Sequence, residues 1–135
     1  MQRILSLLAI TLISVGLTSC SKVDTSVSLS RTEWSSTDAE TKVDLSFTDI
    51  EFVLTIVAKK EQSGVLPGEG FRLRGSYEYE SPDATLYCRT IEFIFNNKVE
   101  AVESARDIRY RAVVVDNILS LYDNDNEFLG TLELQ

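Results

Sequence analysis

The side chains able to do chemistry in this chain are few. Its 135 residues include no histidine and two cysteines, Cys20 and Cys88. Without an imidazole the chain cannot assemble a Ser-His-Asp triad, a Cys-His dyad, a histidine general base or a histidine-ligated zinc from its own residues. Carboxylates and thiols remain. Asp123, Asp125 and Glu127 set acids at every second position, as a calcium loop does. An EF-hand then requires Gly where Phe128 stands and a bidentate Glu where Leu134 stands, so this run reads as a solvated hairpin turn. Glu78 and Glu80 share one face of a strand, about 7 Å apart. A glycosidase would place such acids in a cleft, but Arg72 and Arg74 share their face, and Arg109 and Arg111 lie outward nearby. Cross-strand ion pairing accounts for all six. Cys88, between Tyr87 and Arg89 in a strand-like run, reads as a small buried apolar residue rather than a reactive thiol. No catalytic group, metal site or cofactor is predicted, and the chain is not expected to be an enzyme.

Cys20 has a different context. Arg3 precedes an apolar run, Ile4 to Val15, broken by Ser6, Thr11 and Ser14, and Leu17-Thr18-Ser19-Cys20 closes it. This is the order of a secretory signal, and the run is shorter than the ~20 residues that cross a bilayer. The closing tetrad resembles the lipobox of bacterial lipoproteins. The resemblance implies that residues 1–19 are a signal peptide and that cleavage leaves Cys20 first, with a diacylglyceryl group on its thiol. Several acyl chains then tie the chain stably to a membrane. Ser21, rather than Asp, after the Cys implies by resemblance to enterobacterial sorting an outer-membrane address in the cell envelope. Lipidation also leaves Cys88 without a disulfide partner.

Loss of residues 1–19 removes one of 13 basic residues and none of 21 acids, leaving 116 residues with a formal charge of −9. That length suits one domain with a real core. The acidity excludes nucleic acid as a partner, and also charge-driven adsorption to a membrane surface.

Residues 20–30 comprise the lipidated Cys and a small, polar tether. From Arg31 to Gln135 the dominant period is two, which predicts a single β domain. Val43, Leu45 and Phe47 alternate with Lys42, Asp44 and Ser46. Ile50, Phe52, Leu54 and Ile56 form the next apolar set, and Phe71, Leu73, Gly75, Tyr77 and Tyr79 alternate with charged and polar residues. Thr85 to Phe95 is a long run whose in-out pattern slips at Cys88-Arg89, where a bulge is expected. Ser81-Pro82-Asp83-Ala84 and Asp116-Asn117 carry turn chemistry. Lys59 to Gly70 is a long loop rich in Gly and Pro. Asn96 to Asp107 is irregular, with Val99, Val102 and Ala105 at the spacing of a turn or two of helix. About eight strands joined mostly by short turns predict an antiparallel meander closed into a barrel, with a two-sheet sandwich as the alternative.

Thr32-Glu33-Trp34, the strand Lys42 to Phe47, Gly75-Ser76-Tyr77-Glu78-Tyr79, and the closing Val115 to Leu121 and Gly130-Thr131-Leu132 resemble the small lipocalin-like lipoproteins of Bacteroidetes. Thr32 stands where lipocalins carry Gly, two residues before the Trp. The resemblance implies an eight-stranded barrel and no particular reaction. Trp34 then either lines a ligand cavity or plugs the closed end, and Tyr77, Tyr79 and Tyr110 either ring a pocket or pack across strands. Val65, Leu66 and Pro67, apolar residues in the long loop, are expected to contact a partner or to close over the barrel as a lid. The expected function is a non-enzymatic binding module for a small apolar ligand or an envelope protein. The alternative is an accessory subunit of an outer-membrane assembly, or an inhibitor working by loop insertion.

Overall fold

The computed structural model describes residues 28–61, 64–96, 98–105 and 108–135; Cys20 and the leader lie outside the described residues. The described chain forms β1 (Glu33–Thr37), β2 (Thr41–Phe47), β3 (Glu51–Ala58), β4 (Gly70–Glu80), β5 (Asp83–Phe95), β6 (Lys98–Ser104), β7 (Arg109–Val115), β8 (Ile118–Tyr122) and β9 (Phe128–Leu134). All pairings are antiparallel. Eight strands close into a ring in the order β1-β2-β3-β4-β5-β7-β8-β9, with β9 returning to β1 through Glu133↔Ser35 and Leu134↔Trp34. The fold is therefore an all-β closed barrel and not a sandwich, and β6 lies outside the ring.

The alternation seen in the sequence sorts the side chains. Leu45, Phe47, Phe52, Leu54, Leu73, Leu86, Leu119 and Leu132 point into one common core and are almost fully buried. Their polar neighbours face outward, and closing the ring lets a single interior serve every strand.

The two ends differ. At one end the chain enters at Leu29, and the turns after β2, β4 and β7 lie there with the C-terminus. Trp34 fills this end at 1% exposure. Burying an indole of ~200 Å² stabilises by up to about 5 kcal/mol on area alone, an upper bound. Its Nε1–H donates to Thr32 Oγ1 at 2.9 Å, and the Thr32 hydroxyl donates to the Leu29 carbonyl at 2.6 Å. Backbone bonds from Arg31 N to Phe47 O and from Phe47 N to Thr32 O strap this entry segment against β2. Leu29, itself 1% exposed, completes the seal.

The expected bulge is present. Arg74 pairs with Thr90 and Gly75 with Cys88, so Arg89 is the extra residue on β5. The strands approach closely here: a Cβ on Gly75 would lie 1.7 Å from the Tyr87 carbonyl oxygen, so only Gly fits. The two-residue turn at Asp116-Asn117 falls as read, with Val115 opposite Ile118 and Asp116 at φ +55°, whereas the Ser81–Ala84 stretch turns at Ser81-Pro82 alone, Asp83 already pairing with Glu80 in β5. Ile50 is not part of the inward set: it lies in the turn before β3 and is 72% exposed.

Asn96 to Asp107 is where structure and expectation part. No helix forms among the described residues; Lys98–Ser104 is a strand paired with β5. Phe93 pairs with Ala101 and Ile94 with Val99, so Glu100 is a second bulge residue. The extra residue puts Val99 and Val102 on one face of a strand although they are three apart. The helical spacing was the signature of that bulge. The meander is modified accordingly: β6 and β7 both pair with the same edge of β5, β6 along Thr90–Phe95 and β7 along Asp83–Tyr87.

Replacing Thr32 with Val keeps the shape but leaves the Trp34 N–H buried without its acceptor. Urea unfolding is expected to show a loss of ~1–3 kcal/mol for Thr32→Val, and a clearly smaller loss for Thr32→Ser, which retains the hydroxyl.

Candidate functional site

Strand by strand, inward-facing residues shrink toward the end opposite Trp34. Where the closed end has Trp34, Phe47 and Phe52, the corresponding inward positions at the other end carry Ser36, Thr41, Ala58 and Gly130. The taper leaves a mouth pocket of about 470 Å³. Val43, Ile56, Leu121 and Leu132 form its apolar wall; Ser36, Asp38, Thr41 and Thr131 contribute polar lining, and Leu129 stands at the lip at 51% exposure. Asp38 is committed to its own turn. Its Oδ1 accepts from Glu40 N and Thr41 N, both at 2.7 Å, and those bonds hold its carboxyl below the usual range.

A second depression of about 260 Å³ shares Thr41 and Ile56 with the first and is bordered by Ala58, Phe71 and Val65. Here the long loop meets the mouth. Its base is held by Gly68 N to Ala58 O and Ala58 N to Glu69 O, and its tip by the Glu69 carboxylate accepting from Leu66 N at 2.8 Å. Val65 and Leu66 remain 40% and 45% exposed and Pro67 is exposed as well. The loop stands at the rim of the mouth with its apolar tip in solvent.

The aromatic residues singled out in the sequence lie elsewhere. Trp34 is the plug. Tyr77 donates to the Thr48 carbonyl at 2.7 Å and meets Phe47 edge-on, ring centres 4.8 Å apart, near the closed end. Tyr79 packs against the core two residues further on. Tyr110 is half-buried opposite Leu86, and burial pushes its hydroxyl pKa up. None of the four lines the mouth pocket. The residues that do are ordinary aliphatic strand positions; the signal for them was the set of small inward residues facing them, Ser36, Ala58 and Gly130.

Several carboxylates are tied to cations or turns. Glu92, largely buried, is held by Arg72 at 3.1 Å and Arg74 at 3.0 Å on the outer face. Arg89 pairs with Glu51 and Arg111 with Asp83, the latter guanidinium also 4.6 Å above the Tyr122 ring. Arg72, Arg74 and Arg111 form ion pairs as expected, but with other acids, and Arg109 forms none among the described residues; Glu78 instead accepts from the Tyr87 hydroxyl at 2.8 Å. Asp123 accepts from Asp125 N and Glu127 N, so this acid run closes its own turn. Among the described residues no group of His, Cys, Asp and Glu is placed to hold a metal ion. Cys88 is buried beneath the bulge, with Sγ 3.4 Å from the Thr90 carbonyl, and burial raises its pKa.

The fold thus defines a small closed antiparallel barrel with one plugged and one open end. No family model matches the chain, and no curated protein or solved structure matches it.

The Cys88 environment sets its reactivity. With the thiolate disfavoured by burial, alkylation by iodoacetamide at neutral pH is expected to be at least ~10-fold slower in the folded protein than in urea. Quantifying the Cys88 peptide by mass spectrometry checks this, and the folded-state rate should rise with pH as the thiolate forms.

Proposed function

We propose that this chain is a lipid-anchored, lipocalin-like binding module of the bacterial cell envelope, without catalytic activity, that seats a small apolar ligand in its open mouth. The observation that carries the reading is the taper. Small inward residues at one end leave a pocket of a few hundred cubic ångströms over an apolar wall, of the size and composition small-molecule sites have. The pocket is shallow, because the barrel below it is filled from Leu54 and Leu119 down to Trp34. It therefore suits a ligand that inserts an apolar portion and leaves a polar portion among Ser36, Thr41 and Thr131.

The anchor fits this geometry. The described chain begins at Ser28, beside the plugged end. A lipid on Cys20 tethers the barrel by that end and turns the mouth away from the bilayer. The outer-membrane address rests on the lipobox resemblance and Ser21.

A fluorescent apolar probe such as a dansylated fatty acid is expected to bind saturably to the purified protein. Ile56→Trp, which fills the pocket from its wall, should weaken that binding about tenfold or more. Unchanged affinity in a folded Ile56→Trp variant would refute the mouth as the binding site. Separately, Cys20→Ala is expected to move the protein from the membrane fraction to the soluble one on cell fractionation.

A further inference from the structure

Every residue of β6, Lys98–Ser104, is solvent-exposed, unlike those of the other strands. β6 bonds to β5 on one side, and among the described residues no strand lies on its other side. The reason is a mismatch of lengths. β8 ends at Tyr122, opposite Arg111 of β7, and does not reach the level of β6. The β5–β6 ribbon consequently rises beside the mouth with a free row of backbone donors and acceptors. Its side chains are not those of a protected edge. Phe93 (41% exposed) shares one face with Ala101, and Val99 (41%) and Val102 (59%) share the other. Such an edge is a template for another strand.

Charge selects the occupant. Glu100 and Glu103 on β6 make no ion pair among the described residues, whereas Glu92 on the adjacent strand is held by two arginines. A second copy of the chain suits the edge poorly. Symmetric antiparallel pairing about Ala101 sets Val99 against Glu103 and Glu100 against Val102, and pairing about Glu100 opposes the two Glu100 carboxylates. Either brings together two chains of net charge −8.

We propose that the free edge of β6 is a docking site for an extended basic segment of a protein partner, which adds to the sheet as a strand. Its Lys or Arg side chains meet Glu100 and Glu103, and its apolar side chains cover Val99 and Val102. This surface is separate from the mouth pocket and does not depend on a ligand there.

The test uses the full chain in detergent and a labelled peptide of alternating Lys and Val, seven residues like β6 itself. A second peptide of the same sequence is N-methylated at every interior residue, so that it keeps charge and side chains but has no interior N–H to offer a strand on either edge. Fluorescence anisotropy is expected to show saturable binding of the first peptide, about tenfold or more weakened by N-methylation and about tenfold or more by the double substitution Glu100→Lys/Glu103→Lys. The double variant should keep the parent's circular dichroism spectrum and cooperative thermal unfolding, showing that it is folded. Equal affinity for both peptides would reduce the effect to unspecific charge attraction and overturn the proposal. So would absence of saturable binding, or sedimentation showing that the chain dimerises and that the peptide disperses the dimer. Absence of probe binding by the parent protein would count against the mouth reading and leave the edge site standing.

Discussion

The hydrogen-bonded plug at Trp34 is the constraint on which the barrel depends. A closed ring of eight strands has two open ends, and an indole can fill one only if its N–H is satisfied in a dry interior. Thr32 provides the acceptor and spends its own proton on the Leu29 carbonyl. One hydroxyl thus settles the indole, the entry chain and the position of Leu29. A glycine at that point would leave the N–H without this partner. With bulk concentrated at this end, inward positions at the other end can be small, and the mouth follows.

Two extra residues in neighbouring strands shape the rest. Arg89 bulges β5 opposite Gly75, and Glu100 bulges β6. Each bulge bends its strand and re-aims the side chains beyond it. The first falls where β5 exchanges one neighbour for another, from β7 to β6. Below it the sheet closes on itself; above it the ribbon departs from the ring. A closed barrel and a free strand edge coexist in one short chain because the change of partner is placed at a bulge.

The strands, the ring, the turn at Asp116-Asn117 and the irregularity at Cys88-Arg89 were legible in the sequence because they are written in period two and in turn residues. β6 was not. Val99 and Val102 are three apart, and a bulge imitates helical spacing when only one strand is in view. The ion pairs were legible as a class but not by partner, since Arg72 and Arg74 reach Glu92 through the register of β4 on β5, which the sequence does not display. The mouth was hidden for another reason. Attention falls on large aromatic residues, whereas this pocket exists through small ones, Ser36, Thr41, Ala58 and Gly130, each unremarkable alone.

The disposition of polar groups then gives the molecule a direction. Along the outer wall, Glu92, Glu51 and Asp83 are matched to arginines, and Asp123 of the β8–β9 turn accepts from two backbone N–H groups. Toward the open end the matching lapses: Glu100 and Glu103 make no ion pair among the described residues, and Val65, Leu66, Phe93, Val102 and Leu129 are exposed. Such exposure weakens solubility and contributes nothing to the core. A fold able to seal its far end with one threonine is not short of means to cover apolar groups. The uncovered apolar groups are concentrated at the end opposite the chain's entry, where the pocket opens.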